Sequence, residues 1–411
     1  MSTSIRRILP AVLAALAVFI EPALQTCSSH TDCSLNGICQ DNKCICDPGW
    51  RADDCGELDV QPTVKYSGLN LSDTGTSTWG SRIIHGPMDK QMFHMFVSEF
   101  PGGCGLDYWA PFSRIARAES RTGPLGPYNL VEEVVGAFAH NPTVVFSAKD
   151  GLYALYYIGC PMVLPSSCSH MQFTCGKGND ANGESGISLA TSPDLRTWTF
   201  HGEVFSTGGG GAWDETVINP SAFVLEGGPG SDDSILLAYR GCPYNCHPYP
   251  PYGPELISIA SASSYAGLYK RVEGGPLFKD ENEDPFLWRD KRGNYHMLLH
   301  SLEPEGGFGL GPKVGRHAYA ASWDGPWTFG SKTLAFNTTA FFTDGTSIDF
   351  HRRERPQIFF SEDGEMTPLY MTNGVQEKGK AGSYTLIVPI GQEFKKFEQS
   401  LGISEAKHDE L

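Results

Sequence analysis

The 411-residue chain carries a formal net charge of −16, and 40% of its residues are hydrophobic. That acidity argues against nucleic acid or an anionic membrane surface as a partner. Apart from one short apolar run near the start, no stretch is apolar enough to cross a bilayer.

Residues 1–26 place Arg6 and Arg7 ahead of an apolar run over 8–20, followed by small and polar residues around Ala23. This is the layout of a secretory signal peptide, with an apolar core shorter than a spanning helix needs, so no membrane insertion is expected after its removal. Six of the 12 cysteines then fall between Cys27 and Cys55, a density stable in an oxidising compartment. Their order is Cys27, Cys33, Cys39, Cys44, Cys46 and Cys55, closing on "CICDPGWRADDC". Spacing alone leaves the connectivity open. The pattern resembles an EGF-like module over 27–56, and the resemblance implies pairing of Cys27 with Cys39, Cys33 with Cys44, and Cys46 with Cys55. Ala52 stands where many such modules place a glycine, and no acidic calcium-binding signature precedes Cys27. About thirty residues bury little core, so disulfides must supply what the interior cannot. Such modules usually act as spacers or contact surfaces, which makes a protein partner a further expectation.

The stretch 60–398 is built from repeats. "HGPMDKQMFHMFVSEF" from His85, "NPTVVFSAKDGLYALYYIG" from Asn141 and "NPSAFVLEGGPGSDDSILLAYRG" from Asn219 share one plan. "EDPFLWRDKRGNYHMLLHS" from Glu283 and "RPQIFFSEDGEMTPLYMTNG" from Arg355 repeat it. Each opens near a proline, and most run through a short apolar strand into a polar turn and an aromatic-rich second strand. "KQMFHMF" and "RGNYHML" echo each other, which assigns His94 and His296 one repeated structural role.

A second element follows each hairpin. "SRIARAES", "SGISLATSPDLRTWTF", "LISIASASSYAGLYKR" and "HAYAASWDGPWTF" alternate apolar with small polar residues and then turn, which predicts a third strand leading into a fourth. Glycine and proline punctuation is dense, and helical apolar spacing is absent. The expected fold is all-β: a five-bladed β-propeller over 60–398 behind a small N-terminal disulfide-rich module. "DVQPTVKYSG" is placed to add the strand that closes the ring. Proline suits the head of an innermost strand, an edge that lines the channel and needs no donor there.

Inner strands that open on Asp-Pro or Asn-Pro, with "ATSPDLRTW"-type outer turns, resemble glycoside hydrolase family 43 and its arabinanase, levansucrase and invertase relatives. The resemblance implies a glycan substrate bound at one end of the channel. It further implies an Asp general base, an Asp that orients the acid and adjusts its pKa, a Glu general acid, and inversion at the anomeric centre. Inversion needs two carboxyls about 6.5–9.5 Å apart, one protonated and one ionised. The first two inner strands depart from this pattern, opening on His85-Gly86-Pro87 and His140-Asn141-Pro142 with no Asp. Either the acid and base have moved to other blades and cleave a furanoside or pentose-like bond, or the propeller binds carbohydrate or protein without cleaving it.

Four carboxylates are the catalytic candidates: Asp284, Glu215, Glu354 and Glu283. Along a strand neighbours point to opposite sides, so only one of Glu283 and Asp284 is expected to face the cleft. Asp284 precedes Pro285 and is biased to extended backbone, at the place where the family puts a channel-facing Asp. In "RRERP", Arg353 and Arg355 share a side, from which an arginine fork could clamp a carboxylate or sugar hydroxyls, and Glu354 takes the other. Glu215 lies four residues before Asn219 and suits a general acid, beside Trp213, which could stack on a sugar face. His140, Asn141, Asn219 and His317 complete the substrate-binding candidates. Histidines near inner-strand starts allow a structural calcium in the channel, but no cofactor is required and no zinc-type spacing occurs.

Proximity suggests that Cys242 pairs with Cys246 and Cys168 with Cys175, leaving Cys104 with Cys160. Asn70 and Asn337 lie in glycosylation sequons. A tail over 399–411 ends in His408-Asp409-Glu410-Leu411, an HDEL address read by a retrieval receptor. With the leader and the cysteines, it points to the endoplasmic reticulum lumen.

Overall fold

The structure, a computed structural model, describes residues 27–65, 67–69, 75–170, 186–225, 234–243, 253–302 and 314–403. The leader, the HDEL terminus, Asn70, Cys175 and Cys246 lie outside them. No helix among the described residues is long and apolar enough to cross a membrane.

Five antiparallel sheets form the blades of a propeller. Blade I contains Ser77–His85, Phe93–Phe100, Arg114–Ser120 and Asn129–Val135, and blade II His140–Ser147, Leu152–Ile158, Ile187–Ser192 and Thr199–Phe205. Blade III contains Thr216–Leu225, Ser234–Cys242, Leu256–Ala262 and Lys270–Arg271, and blade IV Asn282–Arg289, Tyr295–Ser301, Gly315–Ala320 and Thr328–Phe329. Blade V has Arg352–Phe360, Pro368–Gln376 and Tyr384–Pro389. Its outer position is filled by 60–65 and 67–69, through bridges Val60 to Ile390 and Leu69 to Thr385 and the Thr63 hydroxyl donating to Ile387 O. The early segment therefore closes the ring, as its sequence suggested.

Second strands are covered by blades on both faces and read as near-continuous apolar runs, such as "LYALYYI" at Leu152–Ile158. Fourth strands have only one covered face, and Thr199–Phe205 is mostly exposed. Phe96 and Ile115 pack with Val144 and Leu155 between blades I and II, and Leu237 and Tyr239 with Tyr156 and Leu189 between II and III. His94 and His296 occupy the same place, second in the second strand of blades I and IV, and both are buried.

The first inner strand is a correction. It is Ser77–His85, not a strand opening at His85-Gly86-Pro87, which forms the turn into the second strand through Gly86 N donating to Met92 O (2.7 Å). Blade I therefore has no proline at its head, and Ser81 stands where the other blades carry Pro142, Pro220, Pro285 and Pro356.

The N-terminal module holds the disulfides Cys27–Cys39, Cys33–Cys44 and Cys46–Cys55, the pairing its resemblance implied. It is not a free tether. Trp50 stacks on Trp288 and packs at a tilt on His317, and Cys33, Cys55 and Leu58 share one apolar cluster with Phe286, Phe336 and Ile358 of blades IV and V and the segment joining them. Around this contact, Arg292 pairs with Asp47, and the Thr333 hydroxyl donates to Asp54 (2.8 Å). In the propeller, Cys104 pairs with Cys168 across 64 residues. This overturns both the Cys104–Cys160 and the Cys168–Cys175 assignments, because chain proximity does not report which loops the blades bring together. Cys160 and Cys242 are also disulfide-bonded.

Candidate functional site

One residue in each inner strand has left-handed backbone: Gly80 (φ 55), Asn141 (φ 55), Asn219 (φ 54), Asp284 (φ 56) and Arg355 (φ 53). Each sits at a register shift, so every inner strand carries a bulge at the same level. Glycine, asparagine and aspartate tolerate this conformation. The bias of Asp284 toward extended backbone is overturned by this bulge.

The five residues form a ring around the channel axis. Asn141 Nδ2 donates to Asn219 Oδ1 (2.7 Å), and Asn219 Nδ2 to Asp284 Oδ1 (2.8 Å). Arg355 donates its Nη1 to Asp284 Oδ1 (3.0 Å) and its backbone N to Oδ2 (3.2 Å). A Cβ on Gly80 would lie 3.0 Å from Arg355 Cβ, so the arginine stem fills the place of the missing fifth side chain. Asn141, Asn219, Asp284 and Arg355 thus do meet at the axis. They spend their hydrogen bonds chiefly on one another.

Above the ring, at the end where the inner strands begin, lies an acidic group. Glu283, Asp284, His300 and Glu354 bring ligand atoms within 4.8 Å of one another. Both Glu283 and Asp284 belong to it, against the expectation of one, because the bulge interrupts strand alternation. The same bulge separates Arg353 from Arg355. Arg353 is buried and donates to Asn373 Oδ1 (3.1 Å) and Thr339 O (2.9 Å), away from the axis. It is a packing residue rather than a substrate clamp.

His300 lies between two carboxylates, with Nδ1 3.0 Å from Glu283 Oε1 and Nε2 4.0 Å from Glu354 Oε1. Burial alone would lower its pKa, but Glu354 and then Glu283 raise it above the ordinary value. Burial raises Asp284 to about 7 against the pull of Arg355, with Glu283 adding to the rise. His300 Nε2 and Glu354 Oε1 are buried and make no hydrogen bond among the described residues.

An arginine lies beside each carboxylate: Arg355 at 3.0 Å from Asp284, Arg352 at 3.5 Å from Glu354, and Arg240 at 3.4 Å from Glu283, although Arg240 pairs more closely with Glu255 at 2.6 Å. The four residues of the acidic group could between them hold a metal ion, with the arginines competing for the carboxylates.

The remaining candidates divide. His140 is buried near the mouth, with Nδ1 2.8 Å from Ser113 Oγ and its ring on Trp109; burial, then Arg355, keeps it neutral. Glu215 accepts from Gly211 N (3.0 Å) and is not part of the acidic group. Its neighbour Asp214 binds Arg271 (2.6 Å) and the Tyr239 hydroxyl (2.9 Å), and Trp213 stacks on Tyr239. This packing gives Trp213 a structural place. His317 is far from the channel mouth: it packs at a tilt on Trp50 and stacks on Trp288 where the module docks, which corrects its assignment to substrate binding. Asn337 is exposed, as a glycosylated residue must be. Sequence reasoning missed His300, Arg240 and Arg352. His300 was legible in principle, since the hairpin register sets it opposite Glu283.

No protein-family model and no curated protein matches the chain. Solved structures do. Zg3597, a family 117 glycoside hydrolase of the marine bacterium Zobellia galactanivorans, is 13% identical with a TM-score of 0.52, over 84% of this chain and 91% of that one. A thermostable family-43 glycoside hydrolase is 14% identical with a TM-score of 0.49, over 79% and 92%. An exo-1,5-alpha-L-arabinanase from a bovine ruminal metagenomic library is 14% identical with a TM-score of 0.47, over 77% and 94%. The chain has the five-bladed propeller fold found among glycoside hydrolases.

Proposed function

We propose that the chain is a glycosidase that acts on a glycan at the channel mouth, with Glu354 and Glu283 as its working carboxylates. The observation that carries this reading is the buried Glu283–His300–Glu354 group, in which His300 Nε2 and Glu354 Oε1 make no hydrogen bond among the described residues and can take a polar ligand. Glu354 touches the sugar, and Glu283, held by His300 and Arg240, is its partner. Asp284 is a positioning residue, since Asn219 and Arg355 occupy both its oxygens. One ligand atom from each of Glu283, Asp284, His300 and Glu354 lies within 4.8 Å of the others, which puts the two carboxylates on one small patch, and the product anomer tells a retaining from an inverting pair. A furanoside or pentose-like substrate is part of the proposal and rests on the family 43 resemblance of the sequence. The disulfides support an oxidising compartment, here the endoplasmic reticulum lumen.

A second reading, a sugar-binding propeller without catalysis, is favoured by the neutral ring positions Gly80, Asn141 and Asn219, where three blades offer no acid. A panel of aryl glycosides, with the product anomer read by NMR, separates the two. Catalysis predicts turnover with a single product anomer and a loss of at least about a hundredfold in Glu354→Gln and Glu283→Gln. Full activity in both variants sinks the assignment. Absence of turnover, with glycan binding abolished in Glu354→Gln, establishes the binder.

A further inference from the structure

The opposite end of the channel is a funnel of about 550 Å³, lined by residues from all five inner strands, among them Ile83, Val145, Phe223, Leu225 and Phe360. Phe146 stands at its rim, 45% exposed. Such a volume and lining suit a small molecule.

Arg82 lies in this lining. Its Nη1 donates to Ile358 O (2.9 Å) and its guanidinium lies over the Phe286 ring at 5.3 Å, but its Nε has no hydrogen-bond partner. No carboxylate pairs with it among the described residues. The two acidic side chains of the funnel are engaged elsewhere. Asp290 is held by Asn294 (2.9 Å), His296 (3.3 Å) and Arg292 (3.4 Å), and Glu362 by His85 (2.7 Å) and Lys90 (3.9 Å). A second arginine of the funnel, Arg289, donates to Gly293 O and sits over Tyr295. A cation taken out of water without a counter-ion is costly, and an anion delivered to it recovers that cost. Burial accordingly lowers the Arg82 pKa to about 10.

We propose that this funnel is a second binding site, for a small carboxylate with an apolar body: the carboxylate on Arg82, the body against Phe146, Phe223 and Phe360. Charge complementarity selects the anion, and the apolar wall selects its tail. The site is at the far end of the channel from the acidic group and is independent of any activity there.

Calorimetric titration of the full chain with decanoate and with 1-decanol tests it. The expected result is saturable decanoate binding, with decanol weaker by about tenfold or more, the scale of a charge-assisted hydrogen bond. Arg82→Met should equalise the two ligands and Arg82→Lys should restore part of the preference. Phe146→Asp, at an exposed position that does not burden folding, should weaken decanoate about tenfold by placing a like charge at the rim. Equal affinity for the two ligands, no saturable heat, or a preference unchanged by Phe146→Asp and by Arg82→Met would each overturn the proposal.

Discussion

Blades I to III and blades IV and V hold the same bulge at the same level, yet they differ in what they place on it. The first three present Gly80, Asn141 and Asn219, all neutral; the last two present Asp284 and Arg355, an ion pair. The acidic group stands over the charged side, and the disulfide module is docked against that side. A buried carboxylate assembly is held by desolvation against itself, so it needs rigid surroundings. The module supplies them where they are needed. The lesson is that five-fold backbone repetition fixes positions, and side-chain chemistry then gives one sector of the ring a task.

The comparison is most sharply broken at Arg355. Arg355→Met leaves Asp284 buried without its cation and is expected to cost about 3–5 kcal/mol in urea unfolding. Asn219→Ala, on the neutral side, removes only amide hydrogen bonds and should cost about 2 kcal/mol. Equal costs would mean that the charged sector bears no special load. Next comes Trp50→Ala, expected to lower stability by about 3 kcal/mol through loss of its contacts with Trp288 and His317. Hydrogen exchange should then rise in the second strands of blades IV and V and stay unchanged in blade II; a uniform rise would deny the module its local role.

The smallest effect is a slope. Burial pushes Asp284 up to about 7 from the 3.8 of the ordinary carboxyl, so its stabilising contribution is complete below the lower value and is lost as pH rises through the higher. His300, raised above 6.5, acts in the same direction. His94, lowered to about 4 by burial and then Arg117, acts oppositely, as do His140, His296 and His317: each costs stability as pH falls below 6.5. The Asp284 contribution is therefore isolated against Asp284→Asn. Between about pH 5 and about pH 8 the difference in unfolding free energy should move in favour of the asparagine variant, by no more than about 1.4 kcal/mol per pH unit. A constant difference would return Asp284 to an ordinary carboxylate.

Four of the five blades were legible because proline marks the heads of their inner strands and apolar runs mark their covered second strands. The inner strand of blade I carries Ser81 in place of that mark, and the nearest proline, Pro87, lies in the turn after it. The ring itself was within reach. Gly80, Asn141, Asn219 and Asp284 are residue types that accept left-handed backbone, and only Arg355 departs from the set. Without the bulge, strict alternation gave the wrong partition of Glu283 from Asp284 and joined Arg353 to Arg355. His317 could not be placed at all, because its surroundings come from a separate module some 260–290 residues earlier in the chain, where Asn36 lies 3.4 Å from it and Trp50 covers it.

Closure of blade V by residues 60–65 and 67–69 sets an order of assembly. Thr63 finds Ile387 across 324 residues, a contact that can form only after the last strand has left the ribosome. The entropy of closing so long a loop grows only logarithmically, so the delay is one of synthesis rather than of free energy. Until then Trp50 and Leu58, made early, have no blade IV or V to cover them, and the nascent chain carries an uncovered apolar face for nearly the whole of its elongation.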